Sequence, residues 1–164
     1  MFDLILFEPE IPPNTGNIIR LCANSGTTLN LVEPLGFTLE DRQLARAGLD
    51  YHEYANVVVH RNWDSCLARF DGRRLFAFTT KGKTRYDKID YGKGDAFLFG
   101  PESRGLPEAI LHSFPEENRV RIPMLPHSRS LNLSNSAAVV IYEAWRQNEY
   151  LGGIGCPPLC GYRQ

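Results

Sequence analysis

The sequence lacks the features that would place it in a membrane, in an oxidising compartment or around a metal. Its first apolar run, Leu4–Phe7, lies between Asp3 and Glu8, too short for a span and too acidic at its borders for a secretory leader. A cytoplasmic protein without a membrane partner is therefore expected. Cysteine is scarce: Cys22, Cys66, Cys156 and Cys160 include no C-x-x-C pair, which argues against structural zinc and against a disulfide framework. His52, His60, His112 and His127 show no ligand spacing, so no metal is expected. No G-x-G-x-x-G, G-x-x-x-x-G-K-[ST] or G-x-S-x-G occurs, which sets aside the dinucleotide, P-loop and nucleophile-elbow readings. Internal repeats and linkers are also missing, so the 164 residues read as one domain.

What is present is an ordinary globular composition, 43% hydrophobic and 23% charged, with a net charge of −1. The charge is unevenly spread. Between Arg73 and Lys93 stand seven basic side chains against Asp87 and Asp90, a local +5 that leaves −6 for the rest. A basic segment on an acidic body suits a protein that grips phosphate at one place, but charge alone equally describes a solvated lysine-rich loop.

Strand-like and helix-like stretches alternate along the chain. Strands are predicted over Phe2–Phe7, Thr28–Val32, Asn56–His60, Arg74–Thr80, Ala96–Phe99 and Arg119–Ile122. Helices are predicted from an Asn14 cap to Ser25, and over Leu39–Ala47, Trp63–Phe70 and Pro107–Ser113, with a long last one from an Asn132 cap to Gln147. This alternation predicts an α/β layered fold with a mostly parallel sheet flanked by helices. The Gly- and Pro-rich stretch Gly152–Gln164 reads as a tail. On the last helix Leu133, Ala137, Val140, Ile141, Ala144 and Trp145 form an apolar stripe that Ala138, Val139 and Tyr142 extend nearly all round. It is covered either by its own core or by a second subunit.

Three loop segments carry polar residues in stiff settings. Glu10–Arg20 follows the first strand, where α/β proteins place their sites, and contains Asn14 and Arg20. Read singly, Asn14 is a helix cap and Arg20 surface charge. In Phe99–Pro107 two glycines and two prolines bracket Glu102, Ser103 and Arg104, a rigid loop able to approach a ligand closely. Ile122–Ser134 gathers hydroxyls and Asn132 at the mouth of the last helix, where unpaired N–H groups suit an anion.

Together, EPEIPPNTGNIIRLCANSG, LFGPESRGLP and RIPMLPHSRSLNLSNS resemble the three motifs of the SPOUT superfamily of RNA methyltransferases. They are most similar to the small tRNA (cytidine/uridine-2′-O)-methyltransferases of the TrmL or YibK type, which act on the wobble nucleotide. The resemblance covers 1–151 and leaves 152–164, with its CPPLC tail, outside; Phe78 stands where the family usually has leucine. It implies a C-terminal trefoil knot and S-adenosylmethionine held by Phe78, Gly100, Ile122, Met124, Ser130 and Leu131. It also implies a homodimer paired through the first and last helices. Asn14, Arg20, Glu102 and Asn132 would be catalytic, with Tyr142 as a further candidate. A guanidinium hardly deprotonates, so Arg20 is expected to hold phosphate and the developing oxyanion, and Tyr142 to accept the proton. Beside this resemblance the basic segment reads as an anticodon stem-loop clamp in which Lys81, Lys83 and Arg85, with Arg20, contact tRNA. Rival readings are action on ribosomal RNA or another tRNA position, or a non-catalytic RNA-binding module, against which the complete motif residues argue.

Overall fold

The computed structural model describes residues 1–39 and 56–154. The helix expected over Leu39–Ala47 lies outside the described residues from 40 onward, as do His52, Cys156 and Cys160. Seven strands form one sheet: β1 (Asp3–Phe7), β2 (Thr28–Val32), β3 (Val57–His60), β4 (Leu75–Phe78), β5 (Thr84–Arg85), β6 (Ala96–Phe99) and β7 (Arg119–Arg121). Their order is β3-β2-β1-β6-β4-β7-β5, and every neighbouring pair is parallel. The central strands are apolar at almost every position because both faces are covered. Leu4 and Leu6 of β1 face α1 (Pro12–Ser25) and the final helix α4 (Leu133–Gln147), while Ile5 and Phe7 face α2 (Trp63–Leu67) and α3 (Glu108–Ser113).

Several local expectations are corrected. Helix α1 starts at Pro12, with Ile11 as its cap residue. Two prolines at the first helical positions lack the N–H groups that would otherwise need acceptors, so Asn14 is not the cap and its side chain is free for another task. The stretch Trp63–Phe70 divides into α2 and a 3-10 turn over Ala68–Phe70. Asn62 caps α2 reciprocally with Ser65, a capping box the sequence reading missed. Pro107 is the cap residue of α3 instead of its first helical residue. Strand β5 was not expected, being two residues long and basic. Asn132 does cap α4, accepting from the N–H groups of Ser134 and Asn135.

The strand order positions everything that follows. β1, β6, β4 and β7 are consecutive in the sheet, although the chain visits them far apart. The segments leaving their carboxyl ends (8–11, 100–107, 79–83 and 122–132) therefore meet along one edge, where ligands sit in parallel α/β sheets. The 79–83 segment crosses β7 closely. Thr79 N–H donates to Val120 O at 2.8 Å, and a Cβ on Gly82 would lie 2.6 Å from Arg119 O, so this crossing admits only glycine without a shift.

Candidate active site

Glu102 is the anchor of the site. Its carboxylate accepts from Glu10 N–H at 2.8 Å, Ile11 N–H at 3.2 Å and Asn14 Nδ2 at 3.0 Å. It supplies, from the loop after β6, the acceptor that the start of α1 lacks in its own sequence. Asn14, buried at 6% exposure, passes the connection on: its Oδ1 accepts from Asn132 Nδ2 at 2.9 Å. Asn132 Oδ1 in turn accepts from Ser134 N–H and Oγ, at 2.9 and 2.7 Å, and from Asn135 N–H. One hydrogen-bonded line thus joins the loops after β1, β6 and β7 to the first turns of both long helices. The Glu102 charge lies where the positive end of the α1 dipole favours it.

A second set of contacts closes the same loops from outside. Glu10 accepts from Ser103 N–H at 3.0 Å and Ser103 Oγ at 2.8 Å, and Arg104 reaches both Glu10, at 3.2 Å, and Glu8. The Ser103 donors, then Arg104, hold the Glu10 carboxyl below the usual carboxylate range.

These loops enclose a cleft of about 420 Å³ that runs into an apolar slot of about 90 Å³. Phe78, Phe99, Ile122, Met124 and Leu131 wall the slot, with Thr79, Thr80, Ser130 and Ser136 as its polar edge. All six residues expected at a cofactor site border this space, Gly100 through the cleft. Gly100 is there for a different reason than expected. A Cβ on it would fall 2.3 Å from Leu106 N and 2.4 Å from Gly105 C, so it lets the loop fold on itself instead of leaving space for a ligand. Thr79, Thr80, Phe99 and Ser136 were missed; the first three sit at or just beyond the carboxyl ends of β4 and β6, where strand ends point to sites.

Two expected catalytic residues stand elsewhere. Neither Arg20 nor Tyr142 borders the cleft. Six residues separate Arg20 from Asn14, about 9 Å of helix, and ten separate Tyr142 from Asn132, about 15 Å. Tyr142 is 45% exposed on the outer face of α4, edge-on to Trp145. The basic segment also changes character. Arg73 turns inward to Asp3 at 2.6 Å and Arg74 to Asp95 at 2.7 Å. Lys81 pairs with Glu108, Lys83 with Glu116, and Arg85 with Asp87 at 2.8 Å. The local +5 is thus largely matched within the fold, and of the four expected RNA contacts Lys81 alone borders the cleft.

The chain shares its fold with RNA methyltransferases of known structure. A structure concerned with 2-OH methylation of C/U34 on tRNA matches with a TM-score of 0.85 and 43% identity, covering 91% of this chain and 97% of that one. An AdoMet-bound rRNA methyltransferase from Sinorhizobium meliloti matches at 0.78 and 26%, over 88% of this chain and 56% of that one. The chain belongs to the SpoU rRNA methylase family, whose model matches residues 1–142. It is 66% identical over 154 residues to the tRNA (cytidine(34)-2′-O)-methyltransferase of Methylovorus glucosotrophus, covering 94% of this chain and all of that one. To the enzyme of the same name from Escherichia coli K12 it is 54% identical, with 94% and 98% covered.

Proposed function

We propose that this chain transfers a methyl group from S-adenosylmethionine to the ribose 2′-oxygen of the wobble nucleotide, position 34, of tRNA. The observation that carries the reading is the Glu102–Asn14–Asn132 line, which locks three loops around one cleft in a chain alike over 94% of its length to an enzyme named for that reaction. The slot suits the donor: aromatic and aliphatic walls for adenine and methionine carbons, hydroxyls and backbone for the polar edges. S-adenosylmethionine supplies the methyl group there. The residues of the chain align the two reacting centres and keep water out.

Asn14, Glu102 and Asn132 spend their polar atoms on one another and on helix starts, so they act by positioning. Arg20, exposed on α1 and outside the cleft of its own chain, is left with the phosphate-holding part of its expected role. Tyr142, outside the cleft of a single chain, is better read as an interface residue. It lies with half-buried Val139 on the open side of α4, edge-on to Trp145, and a homodimer formed through α1 and α4 would cover that face. The trefoil knot is supported by the path of the chain. β7 lies between β4 and β5, and the 79–83 segment that joins those two strands arches across it.

The test is mass spectrometry of sequence-assigned nuclease fragments from tRNA incubated with the purified protein and S-adenosylmethionine. A 2′-O-methyl mark at position 34 is expected; marks confined to another position or to ribosomal RNA would overturn the wobble assignment.

A further inference from the structure

Among the described residues, Lys81 and Arg104 are the two cations that border the cleft. Lys81 leans on one carboxylate, Glu108. Arg104 is held by two, Glu8 and Glu10, with its own side chain 55% exposed. Glu8 and Glu10 differ in what else they do. Glu10 has the Ser103 N–H and hydroxyl as further donors, and so keeps partners if Arg104 leaves. Among the described residues, the hydrogen bond to the Glu8 carboxylate is the one from Arg104. The loop therefore does not need Arg104 to stay joined, because Glu102 and Ser103 already tie 100–107 to 8–11. A guanidinium forked between two carboxylates at the mouth of a site has the geometry that binds a phosphodiester, whose paired oxygens imitate a carboxylate.

We propose that Arg104 is an RNA-phosphate contact of the cleft, and that Glu8 holds it as a stand-in for the phosphate until RNA displaces the carboxylate. This rests on the RNA-methyltransferase reading above. The exchange is inexpensive because an exposed ion pair contributes little, whereas a phosphate contact also releases counterions. Glu8 thereby lowers RNA affinity while keeping the guanidinium aimed.

The test compares tRNA binding by the whole protein, followed by fluorescence anisotropy across a salt series, for wild type, Arg104→Gln, Arg104→Lys and Glu8→Gln. Arg104→Gln is expected to weaken binding roughly tenfold and lower the salt slope by about one. Arg104→Lys should keep the slope but lose affinity, since a point charge cannot fork. Glu8→Gln should tighten binding about twofold to threefold by removing the competitor. A residue that only braces the loop predicts the opposite sign for Glu8→Gln, because loosening the brace from either end weakens binding. If wild type neither binds nor methylates tRNA, both readings fall. If wild type does both while Arg104→Gln keeps affinity and slope, or Glu8→Gln weakens binding, the phosphate site alone falls.

Discussion

At the scale of single residues the site is an exercise in satisfying buried polar groups. Asn14 must donate one way and accept the other, which a neutral amide does and a carboxylate does not. Asn14→Ala should cost about 1–3 kcal/mol, since it leaves Glu102 and Asn132 each short of a partner. Asn14→Asp should cost more, because it sets a second carboxylate against Glu102 at hydrogen-bond distance. Chemical denaturation of both variants checks the order, and equal stabilities would show that Asn14 does not bridge the two. Elsewhere in the core, burial and then Asp3 push the Cys22 thiol up to about 12. Burial likewise pushes Cys66 up to about 12, with Arg69 pulling the other way. Both folded-state values lie above the ordinary value of about 9, so the stability these neutral thiols hold is fully present below pH 9 and is lost as pH rises from 9 toward 12. Melting temperatures should fall across that window, and Cys22 and Cys66 should resist thiol reagents at pH 8 in the native protein.

At the scale of elements, the loops differ in what their glycines do. Gly100→Ala collides with backbone, so it should cost several kcal/mol or force the 100–107 loop open, with loss of cofactor binding as a consequence of the loop's shape. Gly105 has a φ of +68° and nothing within 4 Å of an added Cβ, so Gly105→Ala should cost only about 1–2 kcal/mol. Urea unfolding of the two variants measures the contrast. The same distinction marks what was legible in the sequence. The apolar runs of β1, β2 and β6 and the period of α4 announced themselves, because strand and helix spacing survive in a bare sequence. The cap of α4 could also be read, since Asn132 contacts residues two and three positions on. Asn14 could not be read correctly, because its partners lie 88 and 118 residues away and an asparagine before a helical stretch looks like a cap. The pairing of the charges from Arg73 to Lys93 was hidden for a related reason: their countercharges Asp3, Glu108 and Glu116 come from distant parts of the chain.

At the scale of the whole molecule, α4 is buried on one side and open on the other. Val140 and Ile141 are fully buried against the sheet, each contributing about 1.5–3 kcal/mol, so a lysine at Val140 should unfold the protein and report nothing about assembly. Tyr142→Glu, on the open side, should instead give a folded monomer by light scattering and circular dichroism; a folded dimer would place the interface elsewhere. The sheet order has one more consequence, for synthesis. β1 is among the earliest strands to be made yet lies third in the sheet, and its second neighbour, β6, begins only at residue 96. Until then the emerging chain carries an open parallel edge made of a strand apolar at four of its five positions. Glu102, which must close the start of α1, is made a few residues later, and Asn132 later still. On a ribosome that adds about 5–20 residues per second, the nascent protein spends several seconds as an unfinished sheet, and its catalytic cleft comes into being only with the last helix.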